Sequence, residues 1–258
     1  TLDYIVSKFG RFVTNKMMRN IIGQSESAFN FRQVMDEQKI LLISLNKGRI
    51  GEENSSFLGL ILVPKLLVAA MSRQDVPQDQ RKDFFLYVDE FQNFATPDFA
   101  QILSEARKYR LNLTVANQFI GQIDEDVKNA IFGNVGTMCA FRVGVSDANY
   151  LQHEFQPTFN EGDLINVERY HAYVKTLVGG DPTPPFSLDL TRNIEADKKL
   201  ENPRVAELIR ELSRLKYGRP QALVAQEIAK RSRLFEVLDN PAPQDKLPNK
   251  DGGVGGNL

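Results

Sequence analysis

A single cysteine, Cys139, occurs among the 258 residues, so no disulfide can form within the chain, and a reducing compartment suits it. Set in the apolar run TMCAFRV, it reads as a buried small hydrophobe and not as a reactive thiol. The two histidines, His153 and His171, lie far apart and lack cysteine or acidic residues at ligand spacing, so no metal is assigned to them. No Ser/His/Asp arrangement stands out. Lysine plus arginine total 32 against 33 for aspartate plus glutamate, and bulk charge therefore points to neither nucleic acid nor membrane; only local patches can. No apolar run reaches the roughly 18 residues of a membrane span. The longest, from Phe57 to Met71, is interrupted by Pro64 and Lys65 and reads as a buried helix. The opening TLDYIVSKF shows neither an initiator methionine nor a signal-peptide pattern. Finally, no glycine is followed by lysine, so the phosphate-cradling loop G-x-x-x-x-G-K-[ST] is absent from these residues.

What is present is an ordinary globular composition, 42% hydrophobic and 25% charged, enough for one large domain or a domain with an appendage. Residues 4–22 read as a helix with a basic face of Lys8, Arg11, Lys16 and Arg19. KILLISL (39–45) reads as a buried strand, NKGRIGEEN (46–54) as a loop, and the stretch from about 52 to 72 as an apolar helix. FFLYVDE is a strand, 97–109 an amphipathic helix, LNLTVANQ (111–118) a strand, 124–132 a short helix and 136–143 another strand. Ser146 is expected to cap a helix over 146–155, and 170–178 with 186–190 to form a terminal hairpin. Strands alternating with helices over 39–143 predict an α/β domain: a mainly parallel sheet with helices on both faces. The expected division is a lead-in helical segment over 1–38, the core over 39–190, a helical extension over 191–240 and a disordered tail over 241–258. Across 198–233, ten Lys/Arg stand against four Asp/Glu, an excess of +6. This region reads as a helical pair with solvated charges; DNA, anionic lipid and another subunit are the alternatives.

The run Phe84–Val88 ends in two adjacent carboxylates, Asp89 and Glu90. The C-terminal end of a buried parallel strand opens onto the crevice where α/β sheets bind ligands, so acids there face a site. Four or five apolar residues followed by Asp-Glu is the Walker B pattern: the aspartate holds Mg²⁺ and the glutamate orients or deprotonates the attacking water. A strand that ends in charge because solvent begins there is the plain alternative. LNLTVANQ also ends in amides, Asn117 and Gln118, and Arg107 precedes it on a helix beside Lys108 and Arg110. A strand-end cap and a solvated helix face account for these singly; together with Asp89 and Glu90 in this order they favour an ATPase.

The segments from FGRFVTNKMM to NSSFLG, then LYVDEFQNF, EARKYRLNLTVANQF, NVGTMCAFRVGVSDANYL and FNEGDLINVERYHAYVKTLVGG resemble, in that order, the TraD/TraG-type coupling proteins of conjugation and type IV secretion, within the HerA/FtsK class of ring-shaped DNA-pumping ATPases. The resemblance covers about residues 8–190. It implies a RecA-like P-loop ATPase core, ATP and Mg²⁺ as cofactors, and an assembly that is a homo-oligomer, a hexamer by analogy. By position, Asp89 resembles the Mg²⁺ aspartate, Glu90 the catalytic glutamate, Gln118 the γ-phosphate or water-sensing glutamine and Arg107 the trans-acting arginine finger. Arg142 is a weaker interface candidate. The family's Walker A loop has no match here: NKGRIGEENSS lacks the lysine–hydroxyl ending and carries Glu52 and Glu53, which would repel phosphates. The expectation is therefore a C-terminal part of a longer protein, with Walker A and a membrane anchor upstream, working at the inner face of the cell membrane.

Implied partners are DNA, held through its phosphates and not its bases, and secretion-channel or relaxosome proteins. Lys47 and Arg49 are the DNA-contact candidates. A HerA-like motor of repair or segregation, and a non-catalytic RecA-like binding module, are the competing readings.

Overall fold

The computed structural model describes residues 10, 12, 14–96, 103 and 105–232. Lys8 and Arg11 of the expected basic face, most of the helix expected before Arg107, and the expected disordered tail lie outside the described residues. The chain divides into two units, one made of residues 1–28 with 207–258 and the other of 29–206.

The larger unit starts with α2 (Phe31–Asp36), which follows α1 (Lys16–Ile22) of the smaller unit. Asn30 caps α2 by accepting from the Arg32 and Gln33 amides. Residues 39–46 then form no regular secondary structure and join no ladder. A one-turn helix, α3 (Lys47–Ile50), leads through Gly51 at φ 85° into the long helix α4 (Glu52–Met71). Only glycine takes that backbone turn without strain. Strands β1 (Phe84–Val88) and β2 (Leu111–Val115) pair in parallel, Phe84 opposite Leu111 and Val88 opposite Val115.

The core of this unit joins Val63, Leu66, Leu67 and Ala70 of α4 to Val88, Phe91 and Leu111 of the strand pair and to Val127 and Ile131 of α5 (Glu125–Asn134). The helical stretch Glu52–Asp75 has the length and composition to cross a membrane; one face of α4 enters the core, while Leu60, Val68 and Met71 are exposed, so the expectation of a buried helix holds for that face alone. Arg73, fully buried on the 3-10 turn Ser72–Asp75, fixes where both strands begin. Its guanidinium donates to the carbonyl of Lys82, just before β1, and to that of Tyr109, just before β2, at 3.1 Å, while Nε lies 3.1 Å from Asp36 Oδ1. Burial lowers the Arg73 pKa, and the nearby Asp36 carboxylate opposes that shift.

The rest of the unit is antiparallel. β3 (Met138–Ala140), β4 (His171–Lys175) and β7 (Phe186–Asp189) form a three-stranded sheet in the order β3-β4-β7. Between β4 and β7, the short strands β5 (Leu177–Val178) and β6 (Asp181–Pro182) turn at Gly179 and Gly180, both at positive φ. Two helices, α6 (Val145–Phe155) and α7 (Glu161–Ile165), join Ala148, Leu151, Phe155 and Leu164 to Ala140, with Phe159 stacked on Tyr173 at 3.7 Å.

Several expectations are corrected. The parallel arrangement is confined, among the described residues, to β1 and β2; a hairpin connection as short as that between β4 and β7 forces antiparallel pairing. KILLISL is not a buried strand: it takes no regular structure, and Ile40 and Leu42 are 88% and 83% exposed. Helices do not cover both sheet faces here, because Phe85 and Tyr87 on β1 are also exposed. The 46–54 loop is mostly helical. Cys139 is exposed, since alternation along β3 turns Met138 and Ala140 inward and the residue between them out. α6 is capped at Gly144, two residues before Ser146. The expected terminal hairpin is present as β4 and β7.

After β7 come α8 (Ile194–Leu200), α9 (Pro203–Tyr217) and α10 (Gln221–Arg231); among the described residues α9 and α10 are the expected helical pair, split at Gly218 and Pro220, and α8 precedes them. In the smaller unit α10 lies against α1: Arg231 donates to the Gly23 carbonyl, and Ile228 sits where a β-carbon on Gly23 would fall, 2.8 Å away.

Candidate functional site

Parallel pairing carries both strand tips to the same end of the sheet. The ladder continues past the strands, with the Ala116 amide donating to the Val88 carbonyl and the Phe91 amide to the Ala116 carbonyl, each at 2.9 Å. These bonds hold the turn after β1 against the turn after β2. Glu90 sits between them at φ 52°, ψ 44°, a left-handed conformation that a non-glycine residue seldom adopts. Such strain persists where surrounding contacts enforce it, and it clusters at functional sites.

The contacts are specific. The Gln118 amide donates to Glu90 Oε1, and the Gln92 amide donates to Oε2 at 2.6 Å. The Asn93 amide donates to the Glu90 carbonyl at 2.9 Å. Asp89 Oδ1 accepts the Glu90 amide N–H at 3.0 Å, and Asp89 is exposed. Gln92 Oε1 is buried with no hydrogen-bond partner among the described residues, an acceptor left open beside the carboxylates. Further along, the Ile120 amide donates to buried Asp147 Oδ2 at 3.2 Å, tying the chain after Gln118 to α6.

Asp89, Glu90 and Gln118 are thus brought together. Arg107 is not among them: it is exposed on the 3-10 turn Ala106–Tyr109, at the opposite end of the strands. Arg142 is exposed just past β3. Lys47 lies near the acidic tip, its Nζ 2.9 Å from Glu52 Oε1 and 3.2 Å from Asn93 Oδ1, while Arg49 is exposed on α3. Gln92, Asn93 and Asp147 were missed by sequence reasoning. Two amides within three residues of Glu90 were the available signal for the first two; Asp147 gave none.

Among the described residues no cluster of three or more metal-ligating side chains occurs. Mg²⁺ needs none, since it is commonly held by one or two carboxylates with waters and substrate phosphates. An exposed aspartate at a strand tip suits that requirement, with Glu90 adjacent.

Residues 83–153 match the family model described as the TraM recognition site of TraD and TraG. No curated protein sequence matches the chain. Among solved structures, the plasmid coupling protein TrwB, in complex with the non-hydrolysable GTP analogue GDPNP, aligns with a TM-score of 0.52 at 15% identity, over 70% of this chain and 48% of that one. The chain therefore spans about half the length of that relative, and at such identity the likeness shows the fold, a partial RecA-like core. The bacterial conjugative coupling protein TrwBdeltaN70, in an unbound monoclinic form, aligns at 0.41 with 13% identity, over 55% of this chain and 37% of that one. The genome packaging NTPase B204 of Sulfolobus turreted icosahedral virus 2, in complex with AMPPCP, aligns at 0.42 with 11% identity, over 65% and 74%. The strand pair with its amide-held acids falls inside the matched segment, so it is over the residues around this site that the chain is similar to TraD and TraG.

Proposed function

We propose that this chain forms part of an ATP-driven DNA translocase of the coupling-protein kind, contributing the acidic half of a nucleotide site. One observation carries the reading: the Glu90 carboxylate is hydrogen-bonded by Gln118 across the two parallel strand tips. Glu90 takes the proton of the attacking water. Gln118 and Gln92, each on one carboxylate oxygen, fix the direction in which Glu90 presents its lone pairs. Asp89 would hold Mg²⁺, which when bound neutralises charge on the terminal phosphate oxygens. The phosphate-cradling loop comes from sequence other than these 258 residues, since they contain no G-x-x-x-x-G-K-[ST]. Arg107 reaches the site of a neighbouring subunit in a ring, and DNA passes the ring held through its phosphates. The segment 83–153 receives a TraM-like relaxosome protein, as its family description suggests.

The test uses the full-length gene product. Glu90→Gln retains nucleotide binding, read with a fluorescent ATP analogue, and loses hydrolysis by roughly 10²-fold or more. Undiminished turnover in that variant removes Glu90 from the chemistry and the proposal with it.

A further inference from the structure

Helix α9 presents an apolar face to solvent: Val205, Leu208, Leu212 and Leu215 are 46%, 53%, 64% and 84% exposed. Their spacing is three, four, three, the seam of a two-stranded coiled coil. Val205 and Leu212 take the a positions, Leu208 and Leu215 the d positions. In the first heptad Val205 at a with Leu208 at d is the combination that favours two strands, while Leu212 holds the second a position; Ile209, beside the seam and also exposed, widens it. The helix is well terminated, with the Asn202 side chain accepting from the Val205 amide at 3.1 Å, Pro203 in the first turn and Gly218 after the last. Glu207, Arg210 and Arg214 occupy the outer positions, so only one face of this helix is apolar.

Charge decides what covers that face. Glu211 stands at a g position, and Lys216, five residues on, at the e position of the next heptad. In a parallel, in-register pair a g residue meets the following e residue of the other strand, so Glu211 meets Lys216 of the second copy, and symmetry repeats the pair. With the same four apolar residues matched in the antiparallel sense, Glu211 would face Glu211 of the second copy instead. We propose that α9 is a dimerisation element, pairing with α9 of a second copy of this chain as a parallel two-heptad coiled coil. Two heptads are short for a helix pair in water, so the association is reversible and concentration-dependent. The surface is independent of the nucleotide-site reading.

The test uses the 258-residue chain with its exposed Cys139 changed to serine. Adding Leu208→Cys at a d position gives a disulfide-linked dimer on mild oxidation, whereas Arg210→Cys on the outer face does not. By sedimentation equilibrium, Glu211→Lys weakens the dimer about tenfold, and Glu211→Lys with Lys216→Glu restores it. A chain that stays monomeric at several hundred micromolar overturns the proposal. So does preferential crosslinking of Val205→Cys to Leu215→Cys in mixed samples, which marks an antiparallel pair. A Leu212→Asp variant with a lowered unfolding midpoint at concentrations where the chain is monomeric also overturns it, because the face is then packed within one chain. ATP hydrolysis by the full-length product is not the readout, so failure here leaves the nucleotide-site reading standing.

Discussion

Gly59, in the middle of α4, is where the long helix meets the turn that carries Glu90. A β-carbon there would lie 2.0 Å from Phe94 Cε1 and 2.1 Å from Cδ1. Carbon atoms sit comfortably at about 3.5–4 Å, so the ring would have to withdraw by about 1.5 Å. On helix propensity alone, alanine gains about 1 kcal/mol over glycine. Overpacking costs about 1–3 kcal/mol, and Phe94 is held at both ends: its ring packs on the core and its amide donates to the Phe91 carbonyl at 2.9 Å. With the overpacking cost near the middle of its range, Gly59→Ala is expected to destabilise the chain by about 1 kcal/mol. The same substitution in a Phe94→Ala background is expected to stabilise by about 1 kcal/mol, because propensity alone remains. Urea unfolding of the four members of this cycle reads the reversal of sign. If Gly59→Ala stabilises the unmodified chain, the ring swings away freely, and the claim that Gly59 and Phe94 seat the Glu90 turn is wrong.

Arg73→Met removes the buried donor to the carbonyls of Lys82 and Tyr109; the expected loss is about 3 kcal/mol by urea unfolding, and a change within about 0.5 kcal/mol, typical of a surface site, would show that the strand starts do not depend on it. The hydrogen bond from Arg32, 2.7 Å long, holds the Asp75 carboxyl below the usual carboxylate range. A depressed folded pKa contributes stability that is present above about pH 4 and lost as pH falls through the folded value; Asp75→Asn is therefore expected to flatten the acid limb of the stability profile, and an unchanged limb counts against the pairing. In the proposed motor, Arg107→Ala and Glu90→Gln are each inactive alone, and mixing the two full-length variants restores partial hydrolysis; no recovery would place Arg107 outside the neighbour's site.

The gathering of Asp89, Glu90 and Gln118 at one end of the sheet was legible in the sequence because two apolar runs, one after the other, each end in polar residues, and the ladder between Phe84–Val88 and Leu111–Val115 makes those runs parallel neighbours. Legibility failed where an element's state depends on what lies beside it. KILLISL has the composition of a buried strand, but a strand needs a partner edge, and none pairs with it among the described residues. FFLYV likewise reads as covered on both faces, while Tyr87 is 72% exposed. Arg73 could not be found from its neighbours SRQD, because its partners, Asp36, Lys82 and Tyr109, are separated in sequence and meet only through the packing of α4 on the strand starts. The left-handed backbone at Glu90 was equally invisible; no turn residue announces it, and the hydrogen bonds that enforce it come from Gln92, Asn93 and Gln118.

Strand polarity finally separates the candidates into two sets. β1 and β2 run the same way, so everything following them gathers at one end of the sheet and everything preceding them at the other. Asp89, Glu90 and Gln118 follow; Arg107 precedes β2 by four positions. Five strand residues at about 3.3 Å each put roughly 17 Å between those ends, well beyond the reach of an arginine side chain. If Glu90 and Arg107 both act on a nucleotide, they act on different nucleotides. A single copy then holds parts of two sites, and neither is complete until another copy stands beside it. In the proposed assembly that requirement follows from the direction of two five-residue strands.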